Sequence, residues 1–120
     1  MPTTNHEERS ANTCQCFAPN EDGAWEDRAD IGVTDDYWDV TRMRCARCGT
    51  QWVRAFLEYE AFSRSGRHYR APVTDTTLEE ITPEGALRLL EEAPLRIAGG
   101  SRFGGVEHVD RGPGELLAAP

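Results

Sequence analysis

The stretch Cys45-Ala46-Arg47-Cys48-Gly49-Thr50-Gln51-Trp52 decides how this chain is read, together with its distant counterpart Cys14-Gln15-Cys16-Phe17. The chain's four cysteines fall into these two close pairs, separated by 28 residues. Two thiols on one tight turn can point at a single ion. A second such turn completes a tetrahedral set, with each sulfur about 2.3 Å from the metal. Gly49 follows the last thiol, where the chain must turn sharply and a positive φ is often needed. Trp52 then opens a strand beside the site and can shield it from water. The competing reading is disulfides or unlinked thiols. In a reducing cytoplasm, two close pairs point to metal first.

Outward from this stretch, the pattern is that of strands. Between Gln51 and Phe62, Val53, Ala55, Leu57, Tyr59 and Ala61 share one face, while Trp52, Arg54, Phe56, Glu58, Glu60 and Phe62 share the other. Upstream, Trp38, Val40 and Thr41 suit a pleated surface running into Cys45. Ser63-Arg64-Ser65-Gly66 reads as a hairpin turn, and Arg67 to Val73 as a returning strand broken near its end by Pro72. A helix follows: Thr82 caps it, Pro83 and Glu84 suit its first turn, and Ala86, Leu89, Leu90 and Ala93 form an apolar stripe. Pro94 marks its end. Residues 18–36 are acidic and read as a long loop tacked down by Trp25 and Ile31. The expected organisation is a mobile arm over 1–12, a domain over 13–98 and a Gly/Pro-rich, partly disordered tail over 99–120.

The pattern Cys-x-Cys, then Cys-x-x-Cys-Gly-x-x-Trp, then antiparallel strands resembles a zinc ribbon of the rubredoxin-like knuckle class, over residues 14–73. The resemblance implies Zn2+ held by Cys14, Cys16, Cys45 and Cys48 as a structural metal between two knuckles. The fold it implies is small α+β: a zinc-ribbon three-stranded antiparallel sheet, here with one C-terminal helix. Iron is the alternative metal, since four thiolates suit it as well. His6 or His68 could replace one ligand, but each reads as an ordinary surface or strand histidine.

Composition narrows the function classes. The apolar share is 38%, low for a small chain that must bury a core, so a metal would help it fold. No run of 18 apolar residues offers a membrane span, and Met1 to Asn12 lacks the pattern of a signal peptide, so the expectation is a cytoplasmic protein. All 13 basic residues are Arg, a bias expected of GC-rich bacterial codon usage. The net charge of −8 argues against a general role on nucleic acid or anionic membranes and permits a basic protein partner. That charge is uneven. Residues 1–41 carry ten acids against two Arg, whereas 42–72 carry seven Arg against two Glu.

No catalytic set emerges. His-Glu-x-x-His and Gly-x-Ser-x-Gly are absent, and the Gly-x-x-x-x-Gly run at Gly99–Gly105 has Gly105 where a phosphate loop needs Lys. His6-Glu7-Glu8 fits half of a zinc-deaminase pattern, but Arg44 stands where Pro should precede Cys45. Four cysteines on one metal leave no position open for water. The expectation is therefore a non-enzymatic protein-interaction module, an immunity or adaptor protein by analogy of size and charge. The alternatives are a nucleic-acid accessory factor using Arg64, Arg67 and Arg70 around the hairpin turn, and a rubredoxin-like electron carrier.

Overall fold

The computed structural model of the chain describes residues 14–20, 24–73 and 80–119. The arm expected over 1–12 lies outside them. Among the described residues six strands form one antiparallel sheet in chain order: β1 (Trp25–Val33), β2 (Asp39–Cys45), β3 (Gln51–Leu57), β4 (Arg67–Val73), β5 (Leu95–Gly99) and β6 (His108–Arg111). One helix, α1 (Pro83–Glu92), lies between β4 and β5 in sequence. The α+β class stands, but the sheet has twice the three strands that the resemblance implied.

Period 2 divides the sheet into two faces. Val40 of β2, Val53, Ala55 and Leu57 of β3, Tyr69, Ala71 and Val73 of β4 and Ala98 of β5 point to one side and form the main core. Onto them α1 lays Ala86 and Leu90, both fully buried. The helix forms where the sequence placed it. The Thr82 hydroxyl accepts the Gly85 N–H at 3.0 Å, and Pro83 fills the first position, where a missing N–H costs nothing. The start of the helix abuts β1 at Gly32, whose φ is +140°; a Cβ there would meet Pro83 Cγ at 2.8 Å. The opposite face carries Asp39, Thr41, Met43 and Cys45, then Trp52, Arg54 and Phe56, then His68 and Arg70.

Three departures from the sequence reading share a cause. The acidic segment read as a loop contains β1, an edge strand with register shifts between Glu26 and Ala29 and between Asp30 and Gly32. Charged residues and bulges suit an edge, because they discourage pairing with another chain, but they also erase alternation. Strand β3 stops at Leu57 instead of Phe62. The Ser65 hydroxyl accepts the Tyr59 N–H at 2.8 Å and donates to the Tyr59 carbonyl at 2.7 Å, which closes residues 59–65 into a loop and leaves Phe62 exposed. The segment read as a loose tail holds β6 and a buried Leu116. Its end is held by polar groups of β4: Arg67 donates to the carbonyls of Leu117, at 3.0 Å, and Ala119, and the Tyr69 hydroxyl accepts the Leu117 N–H at 3.0 Å. Such bonds leave no hydrophobic period in the sequence.

Candidate metal centre

Cys14 and Cys16 flank the start of a single 3-10 turn over Gln15–Phe17, closed by the Phe17 N–H on the Cys14 carbonyl at 2.9 Å. Cys45 ends β2, and Cys48 lies in the turn to β3. There the Gly49 N–H reaches the Cys45 carbonyl at 2.8 Å, and Gly49 adopts φ +79°. Arg47 joins the two turns by donating to the Gln15 side-chain oxygen at 2.5 Å, and the Ala46 N–H ties the second turn to the residue before β1, on the Ala24 carbonyl at 2.6 Å.

All four Sγ atoms lie within 4.8 Å of one another. Cys14 Sγ is 3.7 Å from Cys45 Sγ, and Cys16 Sγ is 3.6 Å from Cys48 Sγ. A metal–sulfur bond of 2.3 Å gives a tetrahedron whose sulfur–sulfur edge is about 3.8 Å. The observed spacing therefore fits four thiolates around one ion, and all four cysteines are free of disulfides. The Cys-x-Cys pair reaches the same point as the Cys-x-x-Cys pair because the 3-10 turn is tighter than the turn after Cys45.

Without a cation, four thiols cannot all ionise so close together. At Cys14 the largest influence is the Cys16 backbone N–H, which favours the thiolate, but burial and the neighbouring thiols outweigh it and raise the pKa. Burial, then the neighbouring thiols, push Cys16 far up. Cys48 goes the other way. Burial opposes ionisation there, yet the Thr50 hydroxyl, 3.1 Å from Sγ, and the Thr50 backbone together bring it down to about 7. One thiol is thus poised to ionise, and a divalent cation would displace protons from the rest.

A cap of large side chains covers Cys16 and Cys45, while Cys14 is half-buried and Cys48 exposed. Cys16, Met43, Cys45, Trp52 and Ile97 are buried together, with Phe17 and Trp25 packed against them. Phe17 and Trp25 meet the Trp52 ring at centroid distances of 5.1 and 5.9 Å. Arg70 ties this cap to the sheet. Its guanidinium lies 4.7 Å from the Trp52 centroid and donates to the carbonyls of Cys16 and, at 3.1 Å, of Ala18.

The three arginines expected around the hairpin are not together on the surface. Arg64 is exposed with φ +57°, while Arg67 is fully buried and Arg70 is 4% exposed. Arg67 is held by backbone carbonyls, and Arg70 lies beneath the surface on the Cys16 and Ala18 carbonyls and Glu107, so with Arg64 they form no exposed basic patch around the hairpin. Arg44 meets Glu26 of β1 at 3.4 Å. His68 is away from the sulfurs and binds Glu107 through Nε2 at 2.8 Å, and His108 packs on Phe103 at 4.9 Å. His6 lies outside the described residues. Sequence reasoning missed Thr50 and Glu107, and gave Arg70 to a nucleic acid instead of to the cap over the cysteines. The Thr at the second position after the last cysteine was a usable signal. The other two were not, since Arg70 and Glu107 meet only through the sheet. No helix among the described residues is long and apolar enough to cross a membrane. No protein-family model, curated protein or solved structure matches the chain.

Proposed function

We propose that the protein is a non-enzymatic interaction module whose four cysteines hold one structural zinc ion. The single observation that carries the metal half is the convergence of four sulfurs at tetrahedral spacing from two distant turns. Four protein ligands close the coordination shell, so zinc would act by cross-linking residues 14–16 to 45–48 rather than by activating water. Iron is the second reading, because a four-thiolate cage suits it equally.

The interaction half rests on the tip between β1 and β2. Thr34 closes that turn, its hydroxyl accepting the Trp38 N–H at 3.1 Å, and Tyr37 projects from it at φ +71° with 75% of its surface exposed. Val33, 56% exposed, and the exposed Asp35 and Asp36 flank it. An exposed aromatic among carboxylates suits a basic protein partner, in keeping with the net charge of −8. An immunity or adaptor role in the cytoplasm is the form this reading takes.

Metal analysis of purified protein is expected to show stoichiometric zinc, and a chelator is expected to unfold it, read by near-UV circular dichroism. A coloured, redox-active preparation containing iron would replace zinc in the reading. A chain that binds neither metal would end it. Capture from the native host with wild type and a Tyr37→Ala/Asp36→Asn variant tests the interaction: a partner retained equally by both would remove the tip as the docking surface.

A further inference from the structure

The metal-bearing face of the sheet has a second feature, which the metal does not use. A pocket of about 350 Å³ is lined by Trp25, Arg28, Thr41, Met43, Arg54, His68, Arg70 and Glu107. Its size lies at the lower end of the range for small-molecule sites. Arg54 and Arg70 are directly opposite one another in the β3–β4 register. Like charges in that position repel and destabilise a sheet unless something answers them.

Glu107 answers only part of this. Its Oε1 is 3.3 Å from Arg70, and its Oε2 is held by His68 at 2.8 Å. Arg54 rests 5.7 Å from the Phe56 centroid, and among the described residues neither Arg54 nor Arg28 has a hydrogen bond or ion pair. Burial lowers the Arg54 pKa first, Glu107 and Asp39 partly oppose that, and Arg28 and Arg70 add to it. Asp39 lies outside the pocket lining, but its charge acts on Arg54 and partly offsets it. Among the described residues the lining itself sets three guanidinium groups, Arg28, Arg54 and Arg70, against one carboxylate, Glu107.

We propose that this pocket binds a small phosphomonoester, its phosphate seated among Arg28, Arg54 and Arg70 and its organic part against Trp25 and Met43. A phosphomonoester carries nearly two negative charges at neutral pH and three terminal oxygens, which suits the excess of guanidinium groups in the lining and their planar donors. A carboxylate offers the same three groups one charge and two oxygens. Glu107 and His68 fix Arg70 from one side, and the Cys16 and Ala18 carbonyls fix it from the other. The inference does not depend on which metal the cysteines hold.

The test is calorimetric titration of the full-length, metal-loaded protein at low ionic strength with inorganic phosphate, a nucleoside monophosphate and acetate. Saturable binding of the phosphomonoester, tighter than phosphate and much tighter than acetate, is expected. Arg54→Met should weaken it by about tenfold or more, the usual scale for a lost charge-assisted contact, as should Arg28→Gln at an exposed position. Arg64→Gln, outside the pocket, should leave it unchanged. Thermal melts and metal content of each variant establish that it is folded; should Arg54→Met fail to fold, Arg28→Gln decides. Absence of saturable binding at millimolar ligand, unchanged affinity in the Arg28→Gln variant, or equal binding of an oligonucleotide lacking a terminal phosphate would overturn the proposal.

Discussion

The face of the sheet under α1 and the face bearing the cysteines share strands β2 to β5 but exclude water by different means. Under the helix, Val40, Val53, Ala55, Leu57, Ala71, Leu90 and Ala98 pack as an apolar layer in which small and branched residues alternate. Burial stabilises such a layer at roughly 25 cal/mol per Å² of apolar surface removed from water. Across the sheet the apolar part is short, confined to the cap of Met43, Trp52, Ile97, Phe17 and Trp25. Beyond it come Thr41, Arg54, His68 and Arg70, groups that need partners. The helix face is held mainly by area, with buried Arg67 and Arg96 on backbone carbonyls at its edge, and the other mainly by sulfur, charge and carbonyls. A face of the second kind costs stability unless each polar group is answered, so it marks where a ligand is to be sought.

The largest test of that contrast removes a sulfur. Cys16→Ser is expected to abolish metal binding and to unfold at least the cysteine face. Structural zinc in small peptides contributes on the order of 10–16 kcal/mol of apparent binding energy, more than a small domain has to spare. Loss of near-UV signal and of bound metal would show it. A variant that melted like wild type would mean that this face stands without its cross-link. Second comes Leu90→Ala on the opposite face. Leu90 is fully buried, so a loss of about 2–5 kcal/mol in denaturant unfolding is expected, with metal content unchanged. If metal is lost as well, the two faces unfold as one unit and the distinction fails.

Thr82→Ala is expected to cost about 1 kcal/mol, by removing the bond to the Gly85 N–H. The finest probe is pH, through His68 and Glu107 beside the cysteine face. The folded pKa of His68 lies below its ordinary 6.5, first because of burial, with Glu107 partly opposing and Arg54 and Arg70 adding to the shift. The unfolded chain therefore takes the proton first, and stability present above pH 6.5 declines as pH falls below it. For Glu107, burial raises the pKa, but the Asn20 N–H, His68 and Arg70 together bring it below the usual 4.5. Its contribution is present above 4.5 and is lost as pH falls further. Thermal midpoints measured from pH 8 to about pH 2 should fall in that order, and His68→Gln should flatten the first step. An unchanged slope in that variant would assign the first step to other groups.

Local chemistry was legible where it was local. The β2–β3 turn with Cys45, Cys48 and Gly49, the alternation of Val53, Ala55 and Leu57, and the cap and stripe of α1 each need a few neighbouring residues, and the sequence states them directly. The convergence of Cys14 and Cys16 with the second pair follows from donor chemistry, since thiols in two tight turns have few other uses. The edge strand β1 was hidden because its charges and bulges break the alternation by which strands are found. The order of residues 115–119 was hidden because it rests on Arg67, Tyr59 and Tyr69 reaching backbone carbonyls and an N–H from 48 to 59 positions away.

By itself, then, the sequence determined which residues can bind a metal and which segments can pair or coil, because those properties belong to side chains and short periods. The tertiary structure alone decided which charges are answered. Arg70 and Glu107 are 37 residues apart and become partners only through the sheet, while Arg54 and Arg70 become neighbours only through register. Electrostatic energy depends on distance in space and on burial, and neither is written in the order of residues.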